Sequence, residues 1–282
     1  MRGTPFQRRE SQTRRLSSPP RMTRPRENVP GTRRVNRGGG HSYYLDSEPT
    51  LGVTTALGEG FPKPALIGWA ANATRDYAVD HWDELSELGP AEKIKRLSRA
   101  RYEDRDEAGK AGTKVHTIAQ KLAAGEEVEV PEILVGHVDA YLKFVDEWEP
   151  VEAIVEGIVL NRRFGYMGTL DIVADLADGR RWLLDLKTAR SGVFAENALQ
   201  LAGYRNAETY LYFEDGLERP MLDVDRCGVV WVRADGYDLV PVEVGAEEFR
   251  IFLYALGIAR WRANENVVGE ALAARPMRTE DS

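Results

Sequence analysis

The sequence predicts an α+β fold, in which helices pack on a mixed β-sheet. Two patterns carry this prediction. From residue 64 to 148 the apolar residues recur at helical spacing, and from residue 151 onward their period changes to two, which is typical of strands. We therefore expect a single domain at 41–268, with a helical part at 41–150 and a sheet core at 151–268.

Residues 1–40 are expected to form a disordered tail, because they contain almost no apolar side chains from which to build a core. They hold eleven arginines and two acidic residues, whereas the whole chain of 282 residues has a formal net charge of −7. Such an arm could hold phosphate groups non-specifically, or it could be a dispensable extension. A second, polar tail is expected at 269–282.

Composition excludes several classes of protein. The single cysteine, Cys227, excludes an internal disulfide, a four-cysteine zinc site and a self-contained iron–sulfur cluster. Any metal would therefore be held by oxygen and nitrogen ligands. No apolar run reaches the length of a membrane helix, and no apolar signal-peptide segment begins the chain. We expect an intracellular protein without a membrane partner.

Three amphipathic stripes predict the helices. Gly125 follows the second stripe and Pro150 follows the third, and both residue types commonly end helices. The apolar positions of the stripes are, in chain order, Ala65, Leu66, Trp69, Ala70 and Ala73, then Val115, Ile118, Ala119 and Leu122, then Val135, Val138, Leu142, Val145 and Trp148.

The second half of the chain predicts a meander of three strands followed by a helix, two more strands and a last amphipathic helix. The strands of the meander are separated by turn residues, and the fourth strand is apolar on both faces, as a buried strand is. These elements are expected at Val151–Leu160, Tyr166–Leu176, Arg181–Thr188, Phe194–Tyr212, Leu222–Val232, Leu239–Val244 and Glu247–Asn266.

The third strand contains the most informative pattern, Asp185-Leu186-Lys187. Alternation along a strand places Asp185 and Lys187 on one face and the intervening Leu186 on the other. If the preceding hairpin closes through the three residues 177–179, its register places Asp171 opposite Asp185 and Thr169 opposite Lys187. Two carboxylates and an ammonium then converge on one place.

Two carboxylates that face each other across a ladder are destabilising unless a cation neutralises them. Mg²⁺ accepts carboxylate, carbonyl and water oxygens and needs only one or two protein carboxylates. We therefore expect Asp171, Asp185 and the backbone carbonyl of Leu186 to be metal ligands, with Glu156 as a further candidate on the neighbouring strand. The alternative is a surface hairpin with scattered charges.

Two further features lie at informative positions. Gln200 and Tyr204 are four residues apart and share one face of the predicted helix, where they would form a polar strip beside the acids. We expect this strip to contact the nucleic acid or to position the site. His116 flanks the apolar stripe of an upstream helix, from which an imidazole could reach a metal. Lys63 is a candidate phosphate contact, although an exposed lysine is more commonly part of the solvated surface.

The series His116, Asp171, Asp185-x-Lys187 and Gln200-x-x-x-Tyr204 resembles the nuclease domain of the PD-(D/E)XK superfamily, in its RecB-like exonuclease branch. The resemblance covers about residues 100–235. The chain has Leu170 where the motif's name has proline, and it lacks the four cysteines that hold the iron–sulfur cluster of the CRISPR-associated members. The resemblance implies a restriction-endonuclease-like sheet core, and the missing cysteines imply that the chain holds no iron–sulfur cluster.

The resemblance also implies an activity, a cofactor and partners. It implies a Mg²⁺- or Mn²⁺-dependent DNA exonuclease of phage or bacterial recombination or repair, acting in the bacterial cytoplasm. His116, Asp171, Asp185 and the Leu186 carbonyl would hold the metal, and Lys187 would act on water and phosphate. A single-strand annealing protein or a recombinase is the expected protein partner. A non-catalytic DNA-binding adaptor and a structure-specific endonuclease remain as alternatives.

Overall fold

The computed structural model describes residues 31–37, 40–62, 64–100, 128–188 and 192–263, with short pieces at 114–115, 117–118, 121, 267 and 269–271. The fold is α+β with mixed sheets, which confirms the predicted class. The chain order begins with three strands, continues with helices, and then alternates strands and helices around two connected sheets.

The described residues contain twelve strands. In chain order they are β1 (Arg33–Arg37), β2 (Gly40–Leu45), β3 (Glu48–Gly52), β4 (Val151–Val155), β5 (Ile158–Asn161), β6 (Tyr166–Thr169), β7 (Ile172–Asp175), β8 (Arg181–Lys187), β9 (Thr209–Leu211), β10 (Arg219–Pro220), β11 (Arg226–Arg233) and β12 (Gly236–Val242). One sheet has the order β1-β2-β3-β6-β5-β9-β10 and the other β12-β11-β8-β7-β4. The β3–β6 and β8–β11 pairs are parallel, so both sheets are mixed.

The helices flank these sheets. They are α1 (Val53–Gly60), α2 (Pro64–Asp80), α3 (Trp82–Glu87), α4 (residues 90–100), α5 (Val135–Trp148), α6 (Glu196–Arg205) and α7 (Ala246–Ala263), with a 3-10 turn at Glu132–Leu134. The predicted helix before Pro150 is confirmed as α5, which ends where Glu149 adopts a left-handed conformation with φ of 45°. Within the described residues, no helix is long and apolar enough to cross a membrane.

The described residues form four hydrophobic clusters, and the two largest hold the layers together. The larger core lies between the sheets and helices α1, α6 and α7, and includes Val53, Leu201 and Phe252. The second core lies under α5, where Phe144 is fully buried and packs in one cluster with Trp182 and other residues of β8 and β11. Strand β8 therefore has a core on each face.

The first two strands of the predicted meander are each interrupted, at residues 156–157 and at residues 170–171, and these two places lie side by side. We call this pair of interruptions the seam. Val151–Leu160 is divided into β4 and β5 where Glu156 adopts φ of 50°, and Tyr166–Leu176 is divided into β6 and β7. At the seam the Glu156 N–H donates to the Asp171 carbonyl at 2.9 Å, and the Leu170 N–H donates to the Gly157 carbonyl at 3.0 Å. The same two chain segments thus pass from one sheet into the other.

The N-terminal boundary was predicted wrongly. Strand β1 lies inside the expected tail 1–40, β2 crosses the expected boundary at residue 40, and β3 lies inside the expected helical part 41–150. The turn between β2 and β3 is built by Asp46 and Ser47, both with positive φ, as a two-residue turn of type I′ requires. Tyr43 and Leu45 alternate into the core, and this short pattern is the signal that was missed. Residues 1–30 and 272–282 lie outside the described residues.

The helix predicted at Phe194–Tyr212 is also shorter than expected. Helix α6 ends at Arg205, and the chain then forms β9, because Tyr210 and Leu211 pair with β5 and are buried there. The predicted hairpin through residues 177–179 is confirmed, with φ of 75° at Gly179 and Asp175 opposite Arg181.

Candidate active site

Asp185 and Lys187 project from the same face of β8, as alternation predicts. Lys187 Nζ lies 2.8 Å from Asp185 Oδ2, and Asp185 is only 1% exposed although it is ionisable. Leu184 and Leu186 belong to the core on the opposite face. Burying an ionised carboxylate this deeply destabilises the folded state unless an opposite charge pairs with it. The ammonium of Lys187 is such a partner for Asp185.

Asp171 lies at the seam, immediately before β7. Its Oδ2 accepts a hydrogen bond from the Leu186 N–H at 2.7 Å, which brings this carboxylate to the segment between Asp185 and Lys187. The predicted register is confirmed as far as Ile172 opposite Leu184. The predicted pairing of Thr169 with Lys187 is wrong, because the strand changes sheet at the seam and Thr169 pairs with Ile158 of β5.

Helix α6 contributes an amide to the same cluster. Gln200 Nε2 donates to Asp185 Oδ1 at 2.7 Å and to the Tyr204 hydroxyl at 3.2 Å, and its Oε1 accepts from Lys187 Nζ at 3.5 Å. Because a carboxylate only accepts and an ammonium only donates, these partners determine the orientation of the amide. The predicted shared face of Gln200 and Tyr204 is confirmed by this contact.

A glycine on β6 allows α6 to come this close. A Cβ atom at Gly168 would lie 2.7 Å from Tyr204 Cε1 and 3.1 Å from Val53 Cγ2. Any side chain there would move the helix or the ring, because contacts below 3 Å are not tolerated. Gly168 therefore sets the distance between the helix that carries Gln200 and the strands that carry the acids.

The carboxylates of Asp171 and Asp185 change the pKa values of Lys187 and Tyr204. Burial lowers the pKa of Lys187, but the carboxylates of Asp185 and Asp171 outweigh burial, so that this pKa is raised overall. Burial raises the pKa of Tyr204 well above its ordinary value, and the same two carboxylates add to this effect. At neutral pH Lys187 is therefore charged and Tyr204 is neutral.

The β1–β2 hairpin forms a further wall of the site that sequence reasoning missed. The Tyr43 hydroxyl lies 2.8 Å from Thr169 Oγ1, and Arg34 Nη1 reaches the same hydroxyl at 3.5 Å. Thr169 precedes Asp171 by two residues. The charge of Glu156 also acts on Tyr43, whose pKa is raised chiefly by burial. A segment expected to be a tail thus contacts residues beside the acids.

The other predicted site residues have different outcomes. Glu156 is half-buried at the seam, and its backbone N–H binds the carbonyl of Asp171. Its role as a ligand stays a prediction, as does that of the Leu186 carbonyl. His116 and Lys63 lie outside the described residues.

The donor set suits a hard divalent cation. Asp171 and Asp185 supply two carboxylates, and Mg²⁺ or Mn²⁺ bound by two protein carboxylates completes its shell with water and substrate oxygens. Asp171 and Asp185 both act on the same ammonium, and a divalent cation bound between these carboxylates would be attracted to both. In the part of the chain that the structure describes, no group of three or more histidine, cysteine or acidic residues forms a ready-made metal cage.

Comparison with known proteins adds little. No family model matches the chain, and no curated protein matches it significantly. A solved structure described as "Crystal structure of SSO0001" has 14% sequence identity and covers 57% of this chain and 69% of its own, with a TM-score of 0.27. A similarity of this size supports no conclusion about activity, so the function must be inferred from the chain's own residues.

Proposed function

We propose that this protein is a Mg²⁺- or Mn²⁺-dependent deoxyribonuclease that hydrolyses phosphodiester bonds, acting as an exonuclease in phage or bacterial DNA recombination or repair. The observation that supports it most is the cluster of Asp171, Asp185 and Lys187, in which a buried acid, a second acid and an ammonium converge from β8 and the seam. The proposed substrate is DNA, and the proposed compartment is the bacterial cytoplasm.

Asp171 and Asp185 would hold the metal in this proposal, with the Leu186 carbonyl and His116 as further ligands that the family resemblance suggests. A divalent cation held there supplies a bound water of lowered pKa and neutralises charge on the scissile phosphate. Asp185 is well suited to this role because its position is fixed from two sides, by Gln200 and by Lys187.

Lys187 is the proposed electrostatic catalyst. Its raised pKa keeps the ammonium protonated throughout the neutral range. An ammonium has three N–H donors, and the contacts to Asp185 and Gln200 leave a donor for the attacking water or for a phosphate oxygen. In that position Lys187 orients the nucleophile and stabilises the charge that develops on the phosphoryl group during in-line attack.

Gln200 is a positioning residue in this scheme. It contacts Asp185, Lys187 and Tyr204 at the same time, and therefore fixes the spacing between the acid and the ammonium. Tyr204 is neutral and 3% exposed, and its hydroxyl accepts a hydrogen bond from the Gln200 amide, which helps to hold that amide in place. Neither side chain needs to touch the nucleic acid for the site to depend on it.

The test is digestion of end-labelled linear DNA and of covalently closed circular DNA, each with Mg²⁺, with Mn²⁺ and with EDTA. We expect metal-dependent release of short products from the linear substrate and no cleavage of the circle. Asp185→Asn should abolish the reaction. Asp175→Asn is the matched control, because Asp175 lies on the same hairpin but pairs with Arg181 instead.

Each other outcome identifies an alternative. Metal-dependent cleavage of the closed circle would indicate an endonuclease that uses the same chemistry. Tight DNA binding without turnover in any metal would indicate the adaptor. Equal activity of wild type and Asp185→Asn would show that the reaction does not use this cluster, and the proposal would fail.

A further inference from the structure

We infer that Arg34 and Thr169 form a phosphate-binding subsite beside the acids, which holds a phosphate group of the nucleic-acid strand while the neighbouring bond is cut. This inference rests on the proposed function and extends it to a second point of contact with the substrate. It assigns a role to the β1–β2 hairpin, which the catalytic cluster itself does not use.

The first observation is the state of the Arg34 guanidinium. The side chain is half-buried, and its Nε is buried without a hydrogen-bond partner among the described residues. Within the same part of the chain no carboxylate lies within ion-pair distance of Arg34, whereas Arg162, Arg181 and Arg219 each pair with an acid. A buried donor left unsatisfied is destabilising, and more so when it belongs to a charged group. The guanidinium therefore carries its charge without a counterion among the described residues, and its partly exposed remainder favours an anion supplied from outside.

The second observation is what surrounds this guanidinium. Nη1 contacts Thr169 Oγ1 at 3.5 Å, and the Tyr43 hydroxyl shares that oxygen at 2.8 Å. Nη2 lies 3.4 Å from His41 Nδ1. Burial and the nearby Arg34 charge lower the pKa of His41, so its ring is neutral near pH 7. All of these partners are uncharged, so none of them neutralises the guanidinium.

The third observation is location. Arg34 contacts Thr169, which precedes Asp171 by two residues at the seam, so an anion held by Arg34 would lie close to the segment that carries this acid. A strand of DNA carries a phosphate at every nucleotide, and planar guanidinium groups bind phosphate in a bidentate manner. An oligonucleotide whose scissile phosphate lies at the acids would therefore present an adjacent phosphate to Arg34. A free inorganic anion has only one such group and could not occupy both positions at once.

The β1 strand also supplies a matched control. Arg33 precedes Arg34 and points to the opposite face, where its guanidinium lies 4.7 Å from the centre of the Tyr44 ring and is exposed. Substituting either arginine removes the same charge from the same strand. Only the Arg34 substitution removes it from the side of the acids.

The experiment measures binding of fluorescent single-stranded and duplex oligonucleotides to full-length protein by anisotropy across a salt series. The Asp185→Asn background prevents cleavage. Arg34→Gln should weaken binding at least fivefold and lower the slope of log Kd against log salt by about 0.7–0.9, the value for one lost phosphate contact. Arg33→Gln should change both quantities much less, and Arg34→Lys should restore the slope.

Oligonucleotides with and without a terminal phosphate distinguish the source of the group. Loss of the advantage of a phosphorylated end in Arg34→Gln would identify a terminal phosphate, and equal weakening of both would identify a backbone phosphate. Thermal unfolding without DNA is the second measurement. We expect Arg34→Gln to unfold at the same or a higher temperature, because it removes an unneutralised charge, whereas a purely structural arginine would lower it.

Equal effects of Arg33→Gln and Arg34→Gln, or no effect of either, would overturn the subsite while leaving the nuclease proposal intact if metal-dependent cleavage persists. A marked loss of stability in Arg34→Gln would overturn it in favour of a structural role. Absence of both DNA binding and cleavage in the wild type would overturn the proposed function itself, and the subsite with it.

Discussion

Among the described residues, Glu218 and Asp185 are buried to the same extent but have different partners. Glu218 and Asp185 are each 1% exposed. Arg162 reaches both oxygens of Glu218, at 2.5 and 2.8 Å, and pairs with Asp46 as well. Asp185 meets one ammonium and one amide, with Asp171 nearby. We call these groups the Arg162 cluster and the Lys187 cluster.

The two clusters differ in the exposure of their second acid. In the Arg162 cluster the second acid, Asp46, is about half exposed, so water solvates its charge. In the Lys187 cluster the second acid is half-buried at the seam and acts on the same ammonium as the first. A planar guanidinium that grips both oxygens fixes a structure, whereas an ammonium shared between two acids leaves room for a cation and a substrate. The exposure of the first acid is the same in both clusters, so burial of that acid does not distinguish a structural cluster from a candidate active site.

The largest effect is expected when the Arg162 cluster is broken. Arg162→Met leaves Glu218 buried without its cation, and removing one partner of a buried pair costs about 3–5 kcal/mol. Urea unfolding followed by circular dichroism should show this loss in the free energy of unfolding. The double variant Arg162→Met with Glu218→Gln should recover part of it, and no recovery would mean that Arg162 acts through packing alone.

Breaking the Lys187 cluster should affect turnover more than stability. Lys187→Met should lower the rate of DNA cleavage about 10²- to 10³-fold, because one electrostatic contact to the transition state is lost. Mn²⁺ affinity, measured by calorimetry, should stay roughly unchanged, since an ammonium acts on water and phosphate rather than on the metal. A collapse of Mn²⁺ binding in this variant would instead give Lys187 a role in building the site.

Divalent cations should separate the two clusters in the resting protein. At a hundredfold excess of Mn²⁺ over its Kd, binding stabilises the folded state by about 2.7 kcal/mol. This gain, measured by thermal shift, should disappear in Asp185→Asn and persist in Asp175→Asn. If Asp185→Asn keeps the full gain, the cation binds elsewhere on the protein.

The smallest effects are expected from pH, and they have opposite directions in the two clusters. Hydrogen bonds from Arg162 lower the pKa of Asp46 below its ordinary 3.8, so its contribution to stability is present above that pH and is lost as the pH falls through the folded value. The pKa of Lys187 is raised above 10.5, so its contribution is complete below 10.5 and is lost as the pH rises through the folded value. Urea midpoints from pH 2 to 12 should resolve both limbs. Asp46→Asn should flatten only the acid limb and Lys187→Met only the alkaline one.

The sequence predicted the local geometry of the site well because that geometry depends on periodicity. Alternation along β8 places Asp185 beside Lys187, and helical spacing places Gln200 beside Tyr204, whatever the rest of the chain does. The α+β class and helix α5 follow from the same regularities.

The seam and the N-terminal strands could not be predicted from periodicity. A single left-handed residue, Glu156, divides what the sequence pattern presents as a continuous strand, and non-glycine residues adopt this conformation only where the surrounding structure requires it. Strand β1 contains mostly charged and polar residues, and its place depends on pairing with β2 rather than on its own side chains. Arg34 was therefore grouped with a tail, although it lies beside Thr169.

The seam also has a consequence for how the molecule opens. Because β4 continues into β5 and β6 into β7, two covalent segments belong to both sheets, and opening at the seam disturbs the ladders of both. Hydrogen exchange of the backbone amides in the two sheets should therefore proceed through a common opening event, with similar free energies of exchange for β5, β6, β7 and β8. The acids lie at the junction that both sheets share, so we expect their separation to accompany this common opening.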